Sequence, residues 1–386
     1  MTISRILPIA LTGSTPEGGW TYELSPEDSL HTLIYIETKD GFWGLGSVYT
    51  SFNLVKASLD LLEPHLIGAP ATEPGQLVER LHQVTFWQGR GGAVTHAISG
   101  ISIALWDLFG KVVGRPLYTL LGGAYRRRVK PYGSILMAND GSMEGKIADA
   151  LARGFRAVKV GWGPFGRENR SRDESLVKNA RNALGDDSLL MVDAGGSDTY
   201  WAGRFKWARE TAAMLKDYDV FWFEEPLAPD DLEGYRRLTA TAPLPIASCE
   251  VLTRRHSFFP WIDQRAVDIV QPDVTKVGGV VESLRIAWRA YDAGIRYVGH
   301  GWNTAVGLAC DLHLAASIPD CDLVEYITPA PYIEDLVATP FVLEGGGTLA
   351  VPEGPGLGLE WDWSGIAHYA PHPLPKNLAA LSKHES

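Results

Sequence analysis

From residue 155 to residue 326 the chain is built of short apolar runs, each ending on a charged or imidazole side chain. FRAVK ends at Lys159, LLMVD at Asp193, VFWFE at Glu224, PIASCE at Glu250, VDIVQPD at Asp273, YVGH at His300 and DLVE at Glu325. The runs are rich in β-branched and aromatic residues and read as strands. Their polar ends recur at roughly 23 to 34 residues, enough for one strand, one helix and two loops, the repeat of a β/α barrel of about 250 residues. Such a barrel gathers the C-terminal ends of its strands on one rim, where these seven side chains would meet.

The front of the chain has a different rhythm. Residues 3–12, 30–38 and 42–50 alternate like strands, and Asp40-Gly41 marks a hairpin turn, so a three-stranded meander is expected. Helical periodicity follows over 54–67, 75–85 and 93–113, and the last is apolar on nearly every side, as a buried helix is. Gly122-Gly123 closes this α+β region. After it, PYGSI begins the alternation of strands and helices, with helices over 173–185, capped by Asp173, and over 202–217, 230–239, 254–264, 280–293 and 304–316. A Pro- and Gly-rich stretch containing VPEGPGLGLEWD reads as a strand and turn returning to the first domain, and the tail from Pro371 reads as surface coil. The expected fold class is α/β, a modified (β/α)7β TIM barrel with an α+β capping domain. The boundaries fall at 1–124 for the capping domain, 125–350 for the barrel and 351–386 for the returning segment.

Length requires that second domain, since 386 residues exceed one barrel by over a hundred. A formal charge of −11 removes nucleic acid from the expected partners, and the short Arg126-Arg127-Arg128 run reads as solvated loop. Cys249, Cys310 and Cys321 have no CxxC spacing and suit a reducing cytoplasm. The start lacks the pattern of a signal peptide and no apolar run has the length of a membrane span, so a cytoplasmic protein is expected.

Charge along the rim points to chemistry. Asp193, Glu224 and Glu250 fall on three successive strands, and three converging carboxylates repel unless a cation binds. Oxygen-only ligands select a hard ion, Mg²⁺ first with Mn²⁺ as a substitute, and leave positions for water and substrate. Asp273 and His300 fall on neighbouring strands, where a carboxylate on one imidazole nitrogen raises the basicity of the other and suits His300 to act as a general base. Of the remaining histidines only His256 has a comparable case. Lys159 stands across the rim, able to neutralise an anion, and Glu325 could donate a hydrogen bond if kept protonated. Trp20, Tyr22, Tyr49 and Trp302 lie in loops suited to close over a substrate.

At these residues the chain resembles the enolase superfamily, specifically its mandelate racemase subgroup. The matching text is GFRAVKVG, MVDAGG, WFEEP, the Glu250 strand end, VQPDVTKVGG, the segment around His300 and LVEY, with HAISGISIALWDLFGKVVGRPLYTLLGG in the front domain. The resemblance implies a capping domain over a (β/α)7β barrel and Asp193, Glu224 and Glu250 as Mg²⁺ ligands, with Glu225 behind them. It also implies an Asp273–His300 dyad, Glu325 beside the substrate carboxylate, and a closed homo-oligomer. Lys or His bases with magnesium are known for this superfamily.

Two positions depart from the subgroup's pattern. Its racemases carry Lys-x-Lys on the second strand, and here the text is Lys159-Val160-Gly161; Asp-x-Asn after the third strand is here Asp193-Ala194-Gly195. With one base left, the expected reaction is loss of water from a sugar acid to a 2-keto-3-deoxy product. Cycloisomerisation of an acid-sugar lactone is the alternative, with racemisation and glycoside hydrolysis behind it. Gly161 to Gly166 also match the GxGxxG dinucleotide fingerprint, but Pro164 and the charged run after it delay the helix that fingerprint needs.

Overall fold

The computed structural model describes residues 1–13, 30–137, 141–196, 204–374 and 378. Strands β1 (Ile3–Leu11), β2 (His31–Thr38) and β3 (Trp43–Tyr49) form an antiparallel meander with β2 in the centre. Its second turn falls on Asp40-Gly41, where Gly41 takes a φ of 83° and the Thr38 N–H donates to the Phe42 carbonyl at 2.8 Å. The meander packs on the helix Gly92–Val113. A Cβ at Gly46 would lie 1.9 Å from the Gly100 carbonyl oxygen, so strand and helix meet this closely only because the strand residue is glycine. That 22-residue helix, with a mean hydropathy of 1.3, is the one described helix long and apolar enough to cross a bilayer, yet 67% of the stretch is buried in the fold. It is the core helix of the capping domain.

Eight parallel strands follow: β4 (Arg128–Leu136), β5 (Ala157–Gly161), β6 (Leu189–Asp193), β7 (Val220–Glu224), β8 (Ile246–Ser248), β9 (Ile269–Val270), β10 (Arg296–Tyr297) and β11 (Leu323–Ile327). They pair in sequence order from β4 to β10, and β11 returns to pair with β4. Seven helices alternate with them: Ser142–Arg153, Arg170–Leu184, Phe205–Asp217, Leu232–Thr239, Arg254–Asp263, Val280–Ala293 and Ala305–Ser317. This is the (β/α)7β barrel. No ladder joins β10 to β11 among the described residues, and that seam is crossed by the Gly301 N–H donating to Glu325 Oε2 at 2.8 Å. Strand β12 (Leu349–Ala350) then runs antiparallel to β4. Beyond it Asp107 of the capping helix accepts from the Leu357 N–H at 2.9 Å, tying the chain back to the front.

Three details differ from the sequence expectations. Asp173 is not the cap of its helix: Asn169 accepts from the Arg172 N–H at 3.0 Å, while Asp173, one turn in, accepts from Gly166 and Trp207. Arg126 is not free in solvent, because its guanidinium collects the carbonyls of Ala315, Ile318, Pro319 and Cys321 at the end of the helix Ala305–Ser317. Leu378 is fully buried in the main core, so the tail is not all surface coil.

The barrel's interior explains the rim. Tyr132, Ala157, Met191, Trp222, Ala247, Ile269, Val298 and Leu323 make one apolar layer. Because side chains alternate along a strand, the residues two further on also point inward. They are Ser134, Lys159, Asp193, Glu224, Gln271, His300 and Glu325, the series breaking on β8 at Cys249. An apolar floor thus carries a polar ring.

Candidate active site

Register lines up the ring. Gly161 pairs with Asp193 and Asp193 with Glu224. Glu250 lies one residue off the inward series, but Cys249 adopts a φ of 100°, and this left-handed residue breaks the alternation so that Glu250 turns into the cavity. One ligand oxygen from each of Asp193, Glu224 and Glu250 can be chosen so that all lie within 4.8 Å of one another, and all three residues are buried.

Lys159 binds this cluster from below. Its Nζ is 2.5 Å from Glu224 Oε1, 2.9 Å from Glu325 Oε1 and 3.4 Å from Asp193 Oδ2. Glu224 is fixed further by Trp222 Nε1 at 2.9 Å and Gln271 Nε2 at 2.8 Å. Opposite, His300 Nδ1 lies 2.9 Å from Asp273 Oδ2 and its Nε2 3.4 Å from Glu250 Oε2. Asp273 is held in turn by the backbone N–H and hydroxyl of Thr275, at 2.7 and 2.6 Å. A carboxylate so placed keeps the proton on Nδ1 and leaves Nε2 aimed at the cavity.

The titration shifts follow from burial and charge. Burial pushes Asp193 and Glu224 up, Lys159 only partly offsets it, and the neighbouring carboxylates add to it, leaving Glu224 at about 7. Burial pulls His300 down, but Glu250 and Asp273 outweigh it and raise the imidazole to about 10. Burial would likewise raise Glu325, yet Lys159 and His300 beside it hold it at about 2. Glu325 accepts from the Gly301 N–H at Oε2 and is ion-paired with Lys159 at Oε1, an arrangement that favours the carboxylate over the donating acid expected from the sequence.

With Asp311 left neutral because burial pushes its carboxyl well up, Asp193, Glu224, Glu250, Asp273 and Glu325 taken as ionised set five negative charges against the three positive ones of Lys159, Lys276 and a protonated His300. Two negative charges are left over in a buried ring of oxygen donors. A divalent hard ion fits this donor set and this charge.

Both departures from the racemase pattern meet at one side chain. Trp162, with a φ of 58°, turns its indole over Gly195, where a Cβ would lie 2.7 to 3.0 Å from three ring atoms. The indole N–H donates to Asp193 Oδ2 at 3.1 Å. A Cβ at Gly161 would lie 2.2 Å from the Asp193 carbonyl oxygen. Two glycines therefore let Trp162 stand over the end of β6 that carries Asp193, beside the position where the subgroup's racemases carry their second lysine.

These groups surround a cavity of about 720 Å³, its open mouth included, lined by Tyr49, Lys159, Trp162, Asp193, Glu250, Lys276, His300 and Trp302 among others. Tyr49, the last residue of β3, and Trp302 line this cavity, whereas Trp20 and Tyr22 lie outside the described residues. Glu225, with a φ of 45°, is buried and stands outside the three-carboxylate cluster. His256 is exposed on the helix Arg254–Asp263 and takes no part. Sequence reasoning missed Ser134, Trp162, Gln271 and Lys276. The two-residue alternation from the apolar floor could have found Ser134 and Gln271; nothing comparable marks Trp162 or Lys276.

Comparison with known proteins gives the family. The profile described as "Enolase C-terminal domain-like" matches residues 142–365, and that of the "Mandelate racemase / muconate lactonizing enzyme, N-terminal domain" matches residues 26–122. A D-galactarolactone cycloisomerase of Agrobacterium fabrum is 33% identical over 86% of this chain and 88% of its own. An arabinonate dehydratase of Saccharolobus solfataricus is 31% identical over 84% of this chain and 86% of its own. Among solved structures, the 3,6-anhydro-D-galactonate cycloisomerase from Zobellia galactanivorans superimposes with a TM-score of 0.85 at 29% identity, covering 96% of this chain and 100% of that one. A racemase from Streptomyces coelicolor with bound magnesium gives 0.82 at 28% identity, over 95% and 99%. The chain belongs to the mandelate racemase / muconate lactonizing enzyme family of the enolase superfamily.

Proposed function

We propose that the protein is a Mg²⁺-dependent lyase that removes the proton α to the carboxylate of a sugar acid and expels the β-hydroxyl, giving a 2-keto-3-deoxy acid. The observation that carries this reading is a single oriented base beside a carboxylate triad: His300, held by Asp273 and 3.4 Å from Glu250, faces a wall where Gly161 offers no second base. Asp193, Glu224 and Glu250 would hold the ion, which supplies positive charge to the substrate's developing enediolate and offsets the Glu250 charge that otherwise keeps His300 protonated.

His300 Nε2 takes the α-proton while Asp273 steadies the imidazolium through Nδ1. The electron pair left on carbon moves into the carboxyl group, where the Lys159 ammonium balances part of the charge. His300 then returns its proton to the β-hydroxyl as the C–O bond breaks; water leaves, and the enol tautomerises to the ketone. One imidazole serves both proton transfers, and Glu325 acts by holding Lys159 and the Gly301 N–H in place. A positioned base contributes about 10² to 10⁴ in rate.

Cycloisomerisation of an acid-sugar lactone is the second reading, favoured because two of the similar proteins are named cycloisomerases. It begins with the same proton transfer. The test is turnover of an acid-sugar and lactone library with and without Mg²⁺, followed by α-proton exchange in D₂O for His300→Asn. Exchange and turnover should both need Mg²⁺ and fall by about 10² or more in the variant. Undiminished exchange would remove His300 from the mechanism, and activity that survives chelation would favour a glycosidase.

A further inference from the structure

Three cationic side chains line the cavity, and two of them are neutralised within the protein. Lys159 is shared among Glu224, Glu325 and Asp193, and His300 lies between Asp273 and Glu250. The third, Lys276, has no carboxylate within ion-pair distance and no hydrogen bond from its ammonium among the described residues. It is nevertheless held in place. Its Nζ sits 4.7 Å from the centre of the Tyr49 ring, and Tyr49 is stacked on His31 with centroids 4.9 Å apart and planes at 13°. His31 is anchored by its Nε2 on the Trp302 carbonyl at 2.8 Å. At the base of the side chain, the Lys276 and Val277 N–H groups both close on the Asp273 carbonyl, at 3.0 and 2.7 Å.

An ammonium on an aromatic face still presents its outward N–H donors. Here Lys276 borders the same cavity as Asp193 and Glu250, against the capping-domain residue Tyr49, while Lys159 belongs to β5. The reacting carboxylate already has Lys159 and the triad's ion to receive it. A second anionic group on the substrate would find Lys276.

We propose that Lys276 is a specificity-determining residue that binds a second carboxylate, so that the preferred substrates are dicarboxylic rather than monocarboxylic sugar acids. This inference rests on the acid-sugar reading above. Loss of one charge-assisted hydrogen bond corresponds to about a 10- to 150-fold change.

The experiment compares matched aldarate and aldonate pairs sharing the C2–C5 configuration, such as D-galactarate with D-galactonate and D-glucarate with D-gluconate. Values of kcat/KM are measured for the Mg²⁺-loaded wild type, Lys276→Met, Lys276→Gln and Lys276→Arg. Calorimetric binding of the same acids to His300→Asn, with and without Lys276→Met, gives a readout independent of turnover. The expected result is a diacid preference of about 10-fold or more in the wild type. It should collapse in the Met and Gln variants through the diacids alone and survive in Arg, with KM rather than kcat carrying the loss. Equal or better use of monoacids by the wild type overturns the proposal while leaving the acid-sugar reading intact. An equal fall for both classes in kcat also overturns it, because Lys276 would then serve a proton transfer. If no acid of either class binds or reacts, this proposal and the broader reading fail together.

Discussion

Restoring the lysine that racemases of this subgroup carry should damage this site rather than convert it. In Gly161→Lys the new Cβ would stand 2.2 Å from the Asp193 carbonyl oxygen, 2.6 Å from its Cβ and 2.9 Å from its carbonyl carbon. Ordinary contact begins near 3.4 Å, so the closest pair must separate by about 1.2 Å. The atoms in the way belong to a paired strand: Gly161 and Asp193 are register partners, and the Trp162 N–H is bonded to that same carbonyl at 3.0 Å. Neither side can swing aside as a flexible side chain would. Overpacking of this kind costs about 1 to 3 kcal/mol. The displaced residue is also one of the three proposed metal ligands, and disturbing a ligand's support typically weakens metal binding by about 10- to 100-fold. Calorimetric Mg²⁺ titration and thermal denaturation of Gly161→Lys and Gly161→Ala should both show the loss, since the clash is already complete at Cβ. Wild-type Mg²⁺ affinity and melting temperature in Gly161→Lys, together with new epimerised product, would refute the reasoning.

Trp162→Phe keeps the aromatic ring over Gly195 but removes the N–H that Asp193 accepts at 3.1 Å; Mg²⁺ affinity should fall by about 10-fold with little change in fold stability, and an unchanged titration would show that the indole only fills space. Each buried neutral histidine should cost stability in mild acid, against an opposing gain from the raised Glu224 carboxyl. His313, whose Nδ1 accepts from the Tyr118 N–H and whose Nε2 donates to the Leu357 carbonyl, is lowered by burial to about 4, and His82 to about 3. Their folded pKa values lie below the unfolded 6.5, so between the two the unfolded chain holds more protons and stability drops as pH falls from about 6.5 to 4; by pH 5 each contributes a loss of about 2 kcal/mol. Urea denaturation at pH 7 and pH 5 should show a change between the two pH values that is about 2 kcal/mol less unfavourable in His313→Gln than in the wild type; an equal change in both would contradict it.

Much of this site was legible because barrel strands are short and one-sided in their chemistry. A charged residue closing an apolar run is costly to bury alone, so Lys159, Asp193, Glu224 and Glu325 announced a shared destination. Glu250 could be placed by its position after an apolar run, although the left-handed turn at Cys249 that aims it is invisible in the text. Asp173 misled because Asp is a good cap, but Asn169 lies closer to the loop that the helix must leave. Lys276 and Trp162 escaped notice for a common reason. Each acts from a loop just beyond a strand, where no periodicity says which way a side chain points. Their roles emerge only from what surrounds them: an aromatic face without a carboxylate for one, two missing side chains for the other.

The central claim is that three carboxylates and one imidazole face a single divalent cation. Anomalous scattering from crystals grown with Mn²⁺ and a carboxylate ligand tests it most directly. The account predicts one strong peak per chain with an oxygen of Asp193, Glu224 and Glu250 each at about 2 Å from it, and His300 Nε2 beside the α-carbon of the ligand. Absence of the peak, its appearance away from those oxygens, or a ligand whose α-carbon lies beyond reach of His300 would contradict the account.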